Sequence, residues 1–181
     1  MLRKLFTEHK GVFKFLAIFL GSYLILSAIY LGYISLSTQD QQIDPITRLV
    51  GLQSEMIINQ WGYDARVLPQ SGKPSLQLFV NGDYVARIIE GCNAISIIIL
   101  FAAFVIAFRK DLKRTLLFLF GGAVLIYAIN LLRIGILAIA LYKYPDKEPL
   151  LHQVVFPGII YGFVAFLWML WVGVFKKKGK A

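Results

Sequence analysis

The chain has 181 residues, of which 58% are hydrophobic and only 16% charged, yet its formal net charge is +9. Soluble domains lie nearer about 45–50% apolar and about 25% charged, so the departure is toward the membrane, and the hydrophobicity excludes disorder. Nineteen Lys+Arg against ten Asp+Glu would suit a nucleic-acid binder, but here the positive charges form short clusters between long apolar runs. No nucleic-acid partner is expected. A single cysteine excludes an intramolecular disulfide and a Cys-Cys metal pair, and two histidines are too few for a His-rich metal site. Neither a metal nor a cofactor is therefore expected.

Four apolar segments are long enough, or nearly so, to cross a hydrocarbon core that needs about 20 residues of helix. They run over about 12–36, 88–108, 116–142 and 154–175. The expected fold is an all-α integral membrane protein with four transmembrane helices in one membrane domain, 1–181. The first run is longer than a signal-peptide core and no small-x-small site follows it, so it reads as a retained anchor. Between the first two runs lies a cap, about 37–87. Asp44 as N-cap, Pro45 at the first helical position and then Ile46, Leu49, Val50, Met56, Ile57 and Trp61 predict an amphipathic helix. Beyond it, Leu76–Val80 and Tyr84–Ile88 flank Asn81-Gly82, a pair suited to a type I′ turn, and predict a β-hairpin. The uninterrupted part of the second run starts only after Asn93. The third is long, reaching roughly 40 Å at about 1.5 Å per residue, so its far end is expected to protrude.

Charge sorts the loops. Arg3, Lys4, Lys10 and Lys14, then Arg109, Lys110, Lys113 and Arg114, then Lys176, Lys177, Lys178 and Lys180 fall on one side, opposed only by Glu8 and Asp111. The positive-inside rule puts that side, with both termini, in the cytoplasm. The other side holds Arg48, Arg66, Lys73, Arg87, Lys143 and Lys147 against eight acids. One cation, Arg133, belongs to neither side and lies within the third run. A charge near the bilayer centre costs about 2.5–3.5 kcal/mol, a cost tolerated where it faces a polar cavity or a partner. Asn130 lies three residues earlier, on the same helical face.

Two further residues fall at the same outer rim. Cys92 opens the second run; if that helix begins near Gly91, the thiol lies in its first turn, where free amides and the helix dipole favour a thiolate. His152 opens the fourth run, after the outer loop. His9 is on the opposite side. Thiol, imidazole and guanidinium are the groups that nucleophilic acyl transfer uses: the imidazole takes the thiol proton and the guanidinium meets a developing oxyanion. There is no second cysteine for disulfide exchange, no metal-protease cluster and no G-x-S-x-G. Each residue also has an ordinary structural reading: an inert buried thiol, an interfacial histidine, and an arginine that snorkels or pairs with Glu90.

The stretches EGCNAI around Cys92, NLLRI around Arg133 and HQVVFPG around His152 resemble, in order and setting, the exosortase/archaeosortase family of membrane cysteine transpeptidases, and most of all its short F-type bacterial members. The resemblance covers about 90–175. It implies that Cys92 attacks a scissile carbonyl and forms a thioacyl intermediate, that His152 acts as base and then acid, and that Arg133 stabilises the oxyanion, with Glu90 and Asn130 in support. It also implies membrane-embedded protein substrates ending in a short signal, a helix and a basic tail, and an acceptor nucleophile that takes the acyl group. The setting would be the bacterial cytoplasmic membrane, with the site facing outward. Many members are longer with more spans, which implies that this four-span core would need a second copy or a partner subunit to complete a substrate groove. Many also follow the cysteine with a small residue and glycine, where this chain has Asn93-Ala94. The competing readings are a non-enzymatic assembly factor and a small transport subunit, each with a structural intramembrane arginine.

Overall fold

The computed structural model describes residues 9–38 and 42–173, with the backbone alone described at His152 and Gln153. Arg3, Lys4, Asp40 and the lysines of the tail lie outside these residues.

Helix α1, Lys10–Ser37, buries none of its residues. Leu24, Ile25, Ile29 and Leu31 stay about two-thirds exposed, an arrangement that suits lipid rather than water. The amphipathic helix is present as α2, Pro45–Gln60, and begins as expected: Asp44 accepts a hydrogen bond from the Thr47 amide at 2.9 Å, with Pro45 at the first position. Its buried face is not its most apolar one. Thr47, Val50, Gly51, Ser54 and Ile58 turn inward, while Leu49 and Met56 turn out. Close packing selects small residues here. A Cβ on Gly51 would overlap Leu76 Cδ1, and Ser54 and Thr47 bond within the protein instead of facing water.

A three-stranded antiparallel sheet follows, β1 Ala65–Pro69, β2 Leu76–Val80 and β3 Asp83–Ile88, in the order β1-β2-β3. The hairpin turn is as the sequence indicates: Val80 pairs with Asp83, leaving Asn81 (φ 52°) and Gly82 (φ 89°) as the two central residues, both in the left-handed region that a type I′ turn needs. β1 adds to the expected hairpin. Its sequence, ARVLP, ends in proline and lacks clean alternation, so it reads poorly as a strand.

After a 3₁₀ turn, Glu90–Cys92, the apolar helices are α3 Ile95–Ala107, α4 Leu112–Lys143 and α5 Phe156–Val172. Two helices, α1 and α4, are long and apolar enough by themselves to cross a membrane, whereas α3 and α5 are shorter. α4 begins with Asp111 accepting from the Arg114 amide at 3.0 Å. Its far portion is not a bare extension. Ile134 and Ala138 join Ile88, Leu76, Leu78, Val80 and the α2 residues Val50 and Ile58 in a core between the sheet and the helices. Gly135 lets α2 come close, since a Cβ there would lie 2.8 Å from the Trp61 ring. At the opposite end of the bundle a second core joins Phe101, Val105, Ile126, Val164, Leu167 and Trp171.

Candidate functional site

Cys92 closes the 3₁₀ turn three residues before α3 starts, so it does not lie in the first turn of that helix. Its amide donates to Ile89 O at 2.8 Å and is not free to face a thiolate. Because dipole effects fade within one turn, the expectation of a helix-start thiol is corrected to a thiol held beside the helix by a tight turn.

Three polar contacts hold that turn from three directions. Asn93 is fully buried; its Nδ2 donates to Tyr30 Oη of α1 at 2.8 Å and to Thr47 Oγ1 of α2 at 3.0 Å. Its Oδ1 accepts from the Ile95 amide at 3.0 Å, an Asx-type turn just ahead of α3. From the other side, Asn130 Nδ2 donates to the Cys92 carbonyl at 2.7 Å. Ala94 then turns the chain into α3 with φ 67°, in the left-handed region glycine prefers. This is the position that glycine fills in many proteins of the resembled family, so the backbone turn is kept while the side chain costs about 1 kcal/mol of strain.

Cys92 and Arg133 line one cavity of about 510 Å³. Its remaining wall consists of β3, the far part of α4 around Ile134–Leu141, and the loop at Pro145 and Glu148. Arg133 Nε is buried and has no hydrogen-bond partner. Among the described residues Arg133 also forms no ion pair; the two found are Arg66–Asp64 and Arg114–Asp111. Pairing with Glu90, considered from the sequence, does not occur within the chain. The Glu90 side chain is exposed, and it is the Glu90 carbonyl that takes part, accepting from the Asn93 amide at 3.3 Å and Tyr30 Oη at 3.4 Å. Thus the structure brings together Cys92, Arg133 and Asn130, and leaves the Glu90 carboxylate at the rim.

The side chain of His152 lies outside the described residues. Its backbone belongs to a π-helical turn, Leu151–Val155, between a helical turn at Glu148–Leu150 and α5. The neighbours fix the place of that turn: Leu151 and Phe156 pack against Leu137 and Leu141, two of the residues that line the cavity. π-turns are rare and often mark functional positions.

Sequence reading missed Asn93, Tyr30 and Thr47. The signal for Asn93 was available, since asparagine readily bonds the backbone two residues on and so marks a turn. Nothing local marks Tyr30 and Thr47, which lie 63 and 46 residues away. Among the described residues no three His, Cys, Asp or Glu side chains gather to hold a metal ion.

A mostly helical membrane protein with a thiol and an arginine, its buried Nε unpartnered, lining one cavity beside a small sheet is the class these observations define. The chain matches the family of transmembrane exosortases over residues 10–172 and belongs to that family. No curated protein and no solved structure matches it.

Proposed function

We propose that the protein is a membrane cysteine transpeptidase that cleaves C-terminal sorting signals. The observation that carries this reading is the shared cavity of Cys92 and Arg133, in which the guanidinium Nε is buried and unpartnered. A buried donor with no acceptor costs about 1–3 kcal/mol, more when charged, and a carbonyl oxygen that becomes negative in a transition state would supply that acceptor.

In this mechanism the Cys92 Sγ attacks the scissile carbonyl while His152 takes the thiol proton. Arg133 stabilises the tetrahedral oxyanion. The C–N bond breaks, His152 returns the proton to the leaving amine, and the thioacyl enzyme remains. An acceptor amine or hydroxyl then attacks the thioester, its proton passes to His152 and on to the departing thiolate, and the new acyl bond frees Cys92. Asn130 and Asn93 position the nucleophile through its backbone.

The chain is assigned to the bacterial cytoplasmic membrane as a single membrane domain, with both termini inside and the site outside. The basic clusters support this orientation. α3 and α5 span roughly 20 and 26 Å at about 1.5 Å per residue, and act as short spans packed against the longer α1 and α4. The outward stripe Leu49, Leu52 and Met56 of α2 lies in the headgroup layer. The substrate is a membrane-anchored protein whose signal precedes a helix and a basic tail, so that the cleavage point emerges at the outer surface. The assembly-factor reading would need a partner helix to supply the missing acid for Arg133.

The test is processing of such a tail-bearing reporter in cells. Cys92→Ala, Arg133→Ala and His152→Ala should each leave the reporter full length while the protein still accumulates. Normal processing by Cys92→Ala would end the nucleophile assignment.

A further inference from the structure

The two edges of the sheet are treated differently. The outer edge of β1 is closed by side chains of α2: Asn59 bonds both the amide (2.7 Å) and the carbonyl (3.3 Å) of Ala65, and Glu55 accepts from the Val67 amide at 2.6 Å. Such closure is how proteins blunt an edge that would otherwise recruit another strand. The outer edge of β3 has no such cover. Among the described residues, no backbone or side-chain group bonds the main chain of β3 from that side.

Register identifies which groups are open. Gln70 N donates to Ser75 O at 2.9 Å, which marks that pair as hydrogen-bonded, and alternation along β1 and β2 then turns Leu76 and Leu78 toward β3. Their partners Ile88 and Ala86 therefore face β2, and the N–H and C=O of Arg87 between them face outward. That open edge borders the cavity, because the six consecutive residues 84–89 all line it. A strand seen from one face would contribute alternate residues; a continuous run means that its edge is presented. The edge also leads straight to the thiol, since Ile89 is still extended (φ −124°, ψ 175°) and Cys92 closes the turn that follows.

We infer that the open edge of β3 is the substrate cradle: an extended stretch of the substrate polypeptide pairs with Arg87 as a fourth strand and thereby delivers its scissile carbonyl to Cys92. The occupant is chosen by the chemistry of the edge, which offers alternating main-chain donors and acceptors, and those pair with another main chain. Three or four extended residues at about 3.3 Å each match a cavity of this size. Main-chain pairing supplies affinity, and the side chains around it, with Tyr84 on one side and Leu137 and Leu141 on the other, supply selectivity. The inference rests on the transpeptidase reading and goes beyond it by naming how substrate is held.

The experiment uses the full chain carrying Cys92→Ala, reconstituted in lipid, with a membrane reporter that ends in a signal, a helix and a basic tail. Binding is followed by hydrogen exchange of the β3 amides, so no turnover is required. Exchange at Arg87 should slow at least tenfold when the reporter is added, while Ala86 and Ile88, already paired with β2, change little. Separately, Arg87→Pro removes the outward N–H without touching the β2 ladder, and should bind the reporter at least tenfold more weakly than Arg87→Ala, which keeps it. Unchanged exchange at Arg87, or equal binding by the two variants, overturns the inference. So does protection at Arg87 that is already present without reporter and rises with protein concentration, which would assign the edge to a second copy. Processing by the Cys92→Ala variant would instead overturn the nucleophile and leave the cradle to be judged by Arg87 exchange alone.

Discussion

The two ends of the bundle share α1, α3 and α4 and are built by opposite chemistry. Away from the sheet, Phe104 stacks on Trp168 with ring centroids 4.4 Å apart, Phe118 stacks on Trp171 at 4.7 Å, and Phe15 packs against Phe108 at 4.5 Å. Lys110 binds the Trp171 carbonyl with its ammonium over the indole ring, and Trp171 Nε1 donates to Phe108 O at 3.1 Å. This end is closed by aromatic surface. At the sheet end, α1, α2, α3 and α4 meet through Tyr30, Thr47, Asn93 and Asn130, and a cavity remains. Each end has one unpartnered buried donor atom, Trp168 Nε1 at one and Arg133 Nε at the other. The difference is instructive. A neutral indole N–H left alone costs an ordinary hydrogen bond, whereas a donor on a charged group costs more. Only the second belongs to a residue that lines the cavity, where a partner from outside can reach it.

If the ends divide labour in this way, substitutions should separate chemistry from folding. The largest effect is expected from Cys92→Ala, with complete loss of reporter processing and no change in thermal unfolding in detergent, and from Arg133→Ala, with a loss of at least about 100-fold and an unfolding temperature that holds or rises, because an unpartnered buried donor is removed. A matching fall in unfolding temperature would mean that the sheet end is structural too. At the aromatic end, Phe101→Ala should cost about 3–5 kcal/mol of stability, read by denaturant unfolding, because Phe101 is fully buried and fills the space that Gly122 leaves open. The processing rate per folded molecule should hold.

Asn93→Ala sharpens the comparison, because it strikes the polar hub itself. It should cost about 1–3 kcal/mol and also lower kcat for the reporter more than it alters KM, since the thiol turn would lose its anchors on α1 and α2. Lys110→Met should cost about 1 kcal/mol in the same unfolding assay and leave processing unaltered. The smallest change is expected for Ala94→Gly. Relief of the left-handed strain and loss of a buried methyl group are each worth about 1 kcal/mol, so stability measured by unfolding should move by a few tenths of a kcal/mol.

Hydropathy made α1 and α4 legible because helices facing lipid must be apolar over their length, and Asn81-Gly82 made the hairpin legible because few residue pairs accept positive φ twice in succession. The start of α3 was misplaced for a physical reason: Gly91, Cys92, Asn93 and Ala94 suit the top of an apolar helix in composition, and only the Asn93 turn and the φ of Ala94 break it. The inward face of α2 was not legible because its contacts require small side chains, Gly51 and Ser54, which hydrophobicity does not mark. At the site, Arg133 declared itself by being costly where it stands, and Asn130 followed from helical spacing. Tyr30 and Thr47 could not be found that way, since their tie to Cys92 runs through Asn93 across long stretches of chain.

Those long ties govern how the protein is made. Tyr30 leaves the ribosome first and Asn130 a hundred residues later, yet both hold the same four-residue turn. With α1 and α2 alone in place, there is no cysteine to protect; with α3 added, the turn still lacks the contact to its Cys92 carbonyl. If Cys92 is the nucleophile proposed above, the turn that carries it is complete only once α4 is in place. On that reading a nascent chain would carry its thiol before the turn is fixed, and the order of synthesis itself would hold back premature attack on neighbouring proteins.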